Sequence, residues 1–142
     1  MKKILFVLFV ASLGFVACDK DNVVNNNPYL PNYNFSIDID FSFPLYQSLQ
    51  FTANPVRINQ AGIGINGVIV MNTGSGYVAY EASCPNQQLS SCSGLTLTGT
   101  NVKCGCDNAV YSLFNGQAPG VQYPLKAYRV QVISSTVIRV YN

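Results

Sequence analysis

Four cysteines lie within 23 residues of this 142-residue chain, at positions 84, 92, 104 and 106. Clustered cysteines have two main chemical uses: they pair as disulfides, or their thiolates hold a metal ion or an iron–sulfur cluster. The C-x-C spacing of Cys104 and Cys106 matches neither the C-x-x-C knuckle of a zinc ribbon nor a ferredoxin run. From the residues alone, both uses remain open.

The chain contains no histidine. It therefore cannot build a Ser-His-Asp triad, a Cys-His pair, an H-E-x-x-H zinc site or an imidazole switch near neutral pH. Glu81 and Asp107 lie near the cysteines in the sequence, but neither has a second matched carboxylate with which to share acid–base work. We predict no catalytic residue, no dedicated metal site and no enzymatic activity.

The N-terminus has the pattern of an export signal. Lys2 and Lys3 precede fourteen apolar or small residues, 4–17, and Cys18 follows at once. A helix of that length spans about 21 Å, less than the roughly 30 Å of a bilayer core, which favours a cleaved signal over a transmembrane helix. Residues 15–18, Phe-Val-Ala-Cys, resemble a bacterial lipobox, with Phe where Leu is usual. The alternative is a plain secretory signal in which the cysteine carries no lipid.

The lipobox resemblance implies a signal peptide over 1–17 and acylation of Cys18. The acyl chains would hold the protein on a membrane, and no later segment is apolar for long enough to span one. We expect a bacterial cell-envelope protein, anchored by lipid on the extracytoplasmic side, in the periplasm or at the surface. Six basic and six acidic residues follow Cys18, so the mature chain is neutral and has no basic cluster for nucleic acid.

Two segments follow the predicted signal. Residues 18–34 combine the anchor with an Asn- and Pro-rich stretch without period, typical of a tether. From Phe35 to Phe43 apolar and polar residues alternate, which indicates a half-buried strand. Further β-rich runs follow at 49–53, 55–59, 63–71, 76–82, 95–98, 109–113, 126–133 and 136–141. We predict an all-β domain over 35–142, a small antiparallel barrel or sandwich, with no amphipathic helix.

Two features that suggest chemistry have simpler interpretations. Gly62, Gly64 and Gly67 match the spacing of a dinucleotide fingerprint, but a strand-like apolar run follows them in place of a helix. Asp38 and Asp40 are two residues apart on one predicted strand, so they share its outward face and are expected to be solvated rather than catalytic.

The segments around the cysteines resemble the Rieske iron–sulfur family, in which two loops at the tip of a small β domain hold a [2Fe–2S] cluster. Residues 80–86 are similar to its first cluster loop, and residues 102–107 to the C-x-C-H form of its second. The resemblance extends over about residues 50–142 and includes the strand pair at 67–70 and 77–80 and the tail at 111–130. It implies a Rieske-like β fold.

Both histidine ligands of the family are replaced. Asn86 stands at the first histidine position and Asp107 at the second, while Cys84 and Cys104 occupy the two thiolate positions. An ordinary cluster with two histidine ligands is therefore excluded. The N-terminus also lacks the twin arginine of proteins exported in folded form, so the chain would reach an oxidising compartment without a cluster.

The resemblance also implies a cysteine pairing. In family members with the C-x-C-H loop, the middle cysteine bonds to an extra cysteine of the first loop, which implies Cys92–Cys106 here. Cys84 and Cys104 would then face each other across the former cluster site and form a second disulfide. The alternative pairing is Cys84–Cys92 with Cys104–Cys106, in which the C-x-C bridge is tight.

Two functions follow from these expectations. The first is a non-enzymatic, lipid-anchored protein that has lost its cluster, needs no cofactor, and binds a partner protein in the envelope. The second is an electron carrier with an atypical [2Fe–2S] cluster, held by Cys84 and Cys104 with Asp107, or by all four cysteines including Cys92 and Cys106.

Overall fold

The computed structural model describes residues 26–142, and nearly all of their regular secondary structure is β-strand. The predicted signal peptide and the predicted lipid anchor, Cys18, lie outside the described residues. Nine strands are formed: β1 Ser36–Asp40, β2 Val56–Ile58, β3 Val68–Asn72, β4 Tyr77–Glu81, β5 Leu95–Thr98, β6 Asn101–Cys104, β7 Val110–Ser112, β8 Ala127–Val132 and β9 Val137–Tyr141. One four-residue 3₁₀ turn, Gln47–Gln50, is the sole helical element of this region.

The strands form two antiparallel sheets. The larger has the order β1-β9-β8-β4-β3-β2, and the smaller has the order β5-β6-β7. The prediction of an all-β antiparallel fold is confirmed. From residue 26 onward, no helix has the length and apolar character needed to cross a bilayer.

Two apolar cores lie on opposite faces of β3 and β4. Because side chains alternate along a strand, Val68 and Val70 pack into the first core, while Ile69 and Met71 pack into the second. This double burial explains the unbroken apolar run of β3 in the sequence. The second core is the one that contains Cys84 and Cys104, together with residues of the small sheet.

Four strand predictions differ from the structure. The strand predicted over 35–43 ends at Asp40, and residues 41–43 form a turn. Residues 49–53 form a turn because Leu49 is buried, and its carbonyl accepts a hydrogen bond from the Asn72 side chain at 3.1 Å. Residues 63–67 precede β3 as a turn in which Gly64 and Gly67 have positive φ. Strand β6 lies where the sequence resembles a cluster loop, and no strand is predicted there.

The second half of the predicted tether lies on the domain. Leu30 is buried, and the Asn27 side chain donates to the Pro85 carbonyl at 2.7 Å. The Lys126 ammonium, itself buried, donates to the carbonyls of Leu30 and Pro31 and to the Asn32 side chain, at 3.2, 2.7 and 2.6 Å. Buried ammonium groups need such acceptors, which explains why this polar stretch is held in place.

Asp38 and Asp40 both take part in surface interactions. Asp38 forms an exposed ion pair with Arg139, with Oδ1 and Nε 2.6 Å apart, and the hydrogen bond from Arg139 lowers the pKa of Asp38. Asp40 accepts hydrogen bonds from the backbone and hydroxyl of Ser42, which lower its pKa. Each carboxylate thus has a partner at the surface, where such interactions contribute little to stability.

Candidate functional site

Two disulfides join the loop after β4 to the end of β6. The first links Cys84 and Cys104, whose Cα atoms are 5.5 Å apart and whose side chains are fully buried. The second links Cys92 and Cys106, with Cα atoms 5.0 Å apart; Cys92 is exposed and Cys106 half-buried. The structure thus contains the pairing implied by the resemblance, and not the alternative with a C-x-C bridge.

The cysteine loop of residues 84–93 is fixed by backbone hydrogen bonds at its base. The amide of Cys84 donates to the Ser93 carbonyl at 2.7 Å, and that of Leu95 donates to Ala82 at 2.9 Å. On the facing segment, the amide of Cys104 donates to the Ala109 carbonyl at 2.9 Å. These hydrogen bonds fix the backbone of both segments next to the two disulfides.

Gly105 allows the two loops to approach closely. A Cβ atom at this position would lie 2.6 Å from the carbonyl oxygen of Cys92, inside van der Waals contact. The residue between the two cysteines of the C-x-C motif is therefore restricted to glycine by the packing of its neighbour.

Three of the four sulfurs form a compact cluster. The Sγ atoms of Cys84, Cys104 and Cys106 all lie within 4.8 Å of one another. The Gln87 side-chain amide lies 3.4 Å from the Cys104 sulfur. At the exposed end, the Ser90 hydroxyl lies 3.2 Å from the Cys92 sulfur and 3.6 Å from that of Cys106.

Asn86, which the resemblance aligns with the first histidine ligand, uses its whole amide in hydrogen bonds. Its Nδ2 donates to the Tyr111 hydroxyl at 2.9 Å and to the Tyr123 carbonyl at 2.7 Å. Its Oδ1 accepts from the amides of Gln122 at 3.1 Å and Tyr123 at 2.8 Å. A side-chain amide offers two donor hydrogens and two lone pairs, so Asn86 has no remaining capacity for a metal ion.

We expect Asn86→Asp to lower the free energy of unfolding by about 2 kcal/mol, because a second oxygen replaces the group that donates to Tyr111 and Tyr123. The measurement is urea unfolding followed by circular dichroism. Asn115→Asp is the matched control, since the exposed Asn115 uses only its oxygen, which accepts from the Gln117 amide at 3.0 Å. Equal stability of the two variants would contradict a bridging role for Asn86.

Asp107, which the resemblance aligns with the second histidine ligand, is exposed and forms part of a local turn. Its Oδ1 accepts a hydrogen bond from the Ala109 amide at 2.9 Å, the arrangement of an Asx turn. The two non-cysteine positions are thus used in structural hydrogen bonds, and the two cysteine positions are bonded to each other. This donor set does not fit a Rieske cluster.

The glycine-rich turn before β3 encloses the carboxylate of Glu81, which is fully buried at the end of β4. The amides of Ile65 and Asn66 donate to Glu81 at 2.7 and 2.9 Å. The hydroxyls of Ser83 and Tyr128 donate to it at 2.9 and 2.6 Å. Successive backbone amides make an anion site, and here the anion is a side chain of the same protein.

Gly64 is required for this arrangement. A Cβ atom there would lie 2.7 Å from the Gly67 carbonyl and 2.8 Å from the Glu81 carboxylate. Sequence reasoning named the glycines but did not connect them with Glu81. The available signal was a lone carboxylate at the end of an apolar strand, since such a group must find donors when it is buried.

Burial changes the titration of the groups near Glu81. The pKa of Tyr128 is raised strongly, first by burial and then by the charge and the hydrogen bond of Glu81. Burial lowers the pKa of Lys126, an effect that the nearby charge of Glu81 partly opposes. Near the cysteine loops, burial raises the pKa of Tyr111, and the hydrogen bond with Asn86 acts in the opposite direction. At neutral pH both tyrosines are neutral; the Tyr128 hydroxyl donates to Glu81, and the Tyr111 hydroxyl accepts from Asn86.

No family model matches the chain, and no curated protein matches it in sequence. Among solved structures, the ferredoxin of carbazole 1,9a-dioxygenase from Nocardioides aromaticivorans IC177 is 18% identical, with a TM-score of 0.46. That match covers 77% of this chain and 97% of the ferredoxin. A protein from Mycobacterium tuberculosis, described as the small subunit of an NADH-dependent nitrite reductase, is 14% identical, with a TM-score of 0.47. That match covers 78% of this chain and 97% of the other.

Proposed function

We propose that this protein is a non-enzymatic interaction module of the bacterial cell envelope, held on a membrane by acylated Cys18. Its Rieske-like β domain has lost the iron–sulfur cluster and uses disulfides in its place. The partner is another envelope protein, and no cofactor takes part. The support for each part comes from the residues at the former ligand positions, from the disulfides and from the exposed surface.

The observation that carries the proposal is the hydrogen bonding of Asn86. All four hydrogen-bonding positions of its amide are used to connect the first cysteine loop to residues 111, 122 and 123. A ligand position retained for metal would present a free donor atom towards the sulfurs. The replacement of histidine by asparagine has instead turned this position into a loop anchor.

The two disulfides supply the bracing that a cluster gives to its loops. A [2Fe–2S] cluster connects the loops through its ligands, and two disulfides connect the same two segments here. In the chain-entropy model each is worth about 3 kcal/mol for loops of this length. The loops therefore need no metal to hold their conformation.

The long loop between β1 and β2 offers a surface for a partner. Leu45 is 70% exposed, Phe51 62% and Phe43 61%. Grouped exposed apolar side chains mark interaction sites on soluble domains, and these three lie within nine residues of one loop. We place the binding surface of the module on this loop.

An iron and thiol assay on one purified sample tests the proposal. We expect the full-length chain, purified without reductant, to carry no stoichiometric iron and no visible cluster absorption. We also expect Cys84, Cys92, Cys104 and Cys106 to resist alkylation until they are reduced. Four alkylated cysteines in the untreated protein would contradict the proposal, because the two disulfides replace the cluster in it.

The compact sulfur cluster favours one alternative, an electron carrier with an atypical [2Fe–2S] cluster. The sulfurs of Cys84, Cys104 and Cys106 lie within 4.8 Å of one another, close enough for thiolates to share an iron. The same assay decides between the two functions. About two irons per chain after anaerobic purification, together with visible absorption, would establish the carrier.

A further inference from the structure

The two disulfides differ in exposure but are close to each other. Cys84 and Cys104 are both fully buried, whereas Cys92 is exposed. We propose that the four cysteines form a two-step thiol–disulfide relay, in which an external dithiol reduces the Cys92–Cys106 bond and the released Cys106 then attacks the buried bond. This inference requires the disulfides of the proposed function but neither its lipid anchor nor its partner.

The positions of the sulfurs determine which cysteine carries the exchange. Cys106 Sγ lies within 4.8 Å of both sulfurs of the buried disulfide, and Cys92 Sγ does not belong to this mutually close group. Exchange requires a thiolate to reach a disulfide sulfur directly. Cys106 therefore connects the two disulfides. Cys92 is the sulfur that an external dithiol attacks.

The first step takes place at the surface. One thiolate of the external dithiol attacks Cys92 Sγ, which releases Cys106 as a thiolate and leaves a mixed disulfide on Cys92. The second thiol of the reductant then attacks the reductant sulfur that is bonded to Cys92. This step releases Cys92 as a thiol and leaves the reductant as a disulfide. Two electrons have passed from the dithiol to the protein, and two protons accompany them.

The second step takes place inside the protein. The Cys106 thiolate attacks Cys84 Sγ, which forms a Cys84–Cys106 bond, breaks the Cys84–Cys104 bond and releases Cys104 as a thiolate. Attack on Cys84 is favoured over attack on Cys104, because the C-x-C bridge that would result is tight. No electrons enter or leave in this step. Its product is reached by a second external dithiol more readily than the buried bond, since Cys106 is half-buried rather than enclosed.

The surroundings of the exposed bond suit a protein dithiol as the reductant. Residues 88–92 are all exposed, so a partner can approach Cys92 without any movement of the strands. The Ser90 hydroxyl, 3.2 Å from the Cys92 sulfur and 3.6 Å from the Cys106 sulfur, is placed to donate a hydrogen bond to either thiolate as it forms. The partner class is thus a thiol–disulfide reductase or another protein dithiol.

Two matched variants test the relay. Cys92→Ser and Cys106→Ser each remove the exposed bond and keep both buried cysteines, but they leave an unpaired cysteine at Cys106 and at Cys92, respectively. The full-length variants are treated with the same concentration of dithiothreitol at pH 8. Samples are quenched in acid and alkylated, and peptide mapping assigns the label to each cysteine and keeps Cys18 apart.

We expect the Cys84–Cys104 bond to be reduced at least about tenfold faster in Cys92→Ser than in Cys106→Ser, because only Cys106 can carry the exchange inward. A Cys84–Cys106 bridge trapped in Cys92→Ser would identify the sulfur attacked. Equal reduction rates in the two variants would overturn the relay. That result would not contradict the proposed function. The proposed function is contradicted by a different result, free thiols in the untreated wild-type protein.

Discussion

Replacement of Glu81 by alanine is expected to lower the free energy of unfolding by about 4 kcal/mol or more. Four donors, two backbone amides and two hydroxyls, end on its carboxylate. Without it they stay buried beside a cavity and lose hydrogen bonds that the unfolded chain makes to water. The loss is a large part of the 5–15 kcal/mol that is typical of a domain.

Urea unfolding followed by tyrosine fluorescence and circular dichroism measures this effect. Glu81→Gln is the companion variant, because it keeps the shape of the side chain and one acceptor oxygen. Each carboxylate oxygen accepts from one backbone amide and one hydroxyl. We expect Glu81→Gln to cost about half as much, since its nitrogen then faces only one donating amide. If both variants had the same urea midpoint of unfolding as the wild type, the Glu81 carboxylate would not stabilise the glycine-rich turn.

Removal of the buried disulfide by Cys84→Ala with Cys104→Ala is the second large expected effect, about 4 kcal/mol. The bond closes a loop with a sequence separation of 20, which accounts for about 3 kcal/mol in the chain-entropy model. Both sulfurs also pack in the second core, so their loss leaves a cavity as well.

The exposed pair provides the comparison. Cys92→Ala with Cys106→Ala opens a loop with a sequence separation of 14 and is expected to cost about 3 kcal/mol, because little core packing is lost with it. Both double variants are compared with the wild type in guanidinium chloride without reductant. A greater loss in the exposed pair would show that the buried bond is not the principal brace of the loops.

Much of the fold could be predicted from alternation and turn residues. Strands β4, β8 and β9 fall within one residue of the predicted runs, because their turns contain Gly or Ser pairs that interrupt the pattern. The strand predicted at residues 49–53 was wrong because tertiary packing decides the conformation there. Their apolar side chains are divided between the core and the surface, with Leu49 buried and Phe51 exposed, and no local pattern separates that arrangement from a short strand.

Only the cysteines of the candidate site could be predicted, because a cysteine in a disulfide can bond only to another cysteine. A resemblance in the loops was sufficient to place the cysteines in pairs, but nothing local shows that Asn86 reaches residues 111, 122 and 123. The same holds for Lys126, whose acceptors in residues 30–32 lie more than ninety positions away in the sequence. Such contacts depend on the tertiary fold, and their residues look ordinary in the sequence.

The two disulfides also change the covalent topology of the domain. Strand β5, the following turn and most of β6 lie between Cys92 and Cys104, and both bonds connect the chain before this hairpin to the chain after it. A cut of the backbone anywhere within residues 93–103 therefore leaves one covalent molecule. The hairpin is thus part of a covalent ring closed by the disulfides. The chain before the hairpin and the chain after it stay covalently connected even when the hairpin is cleaved.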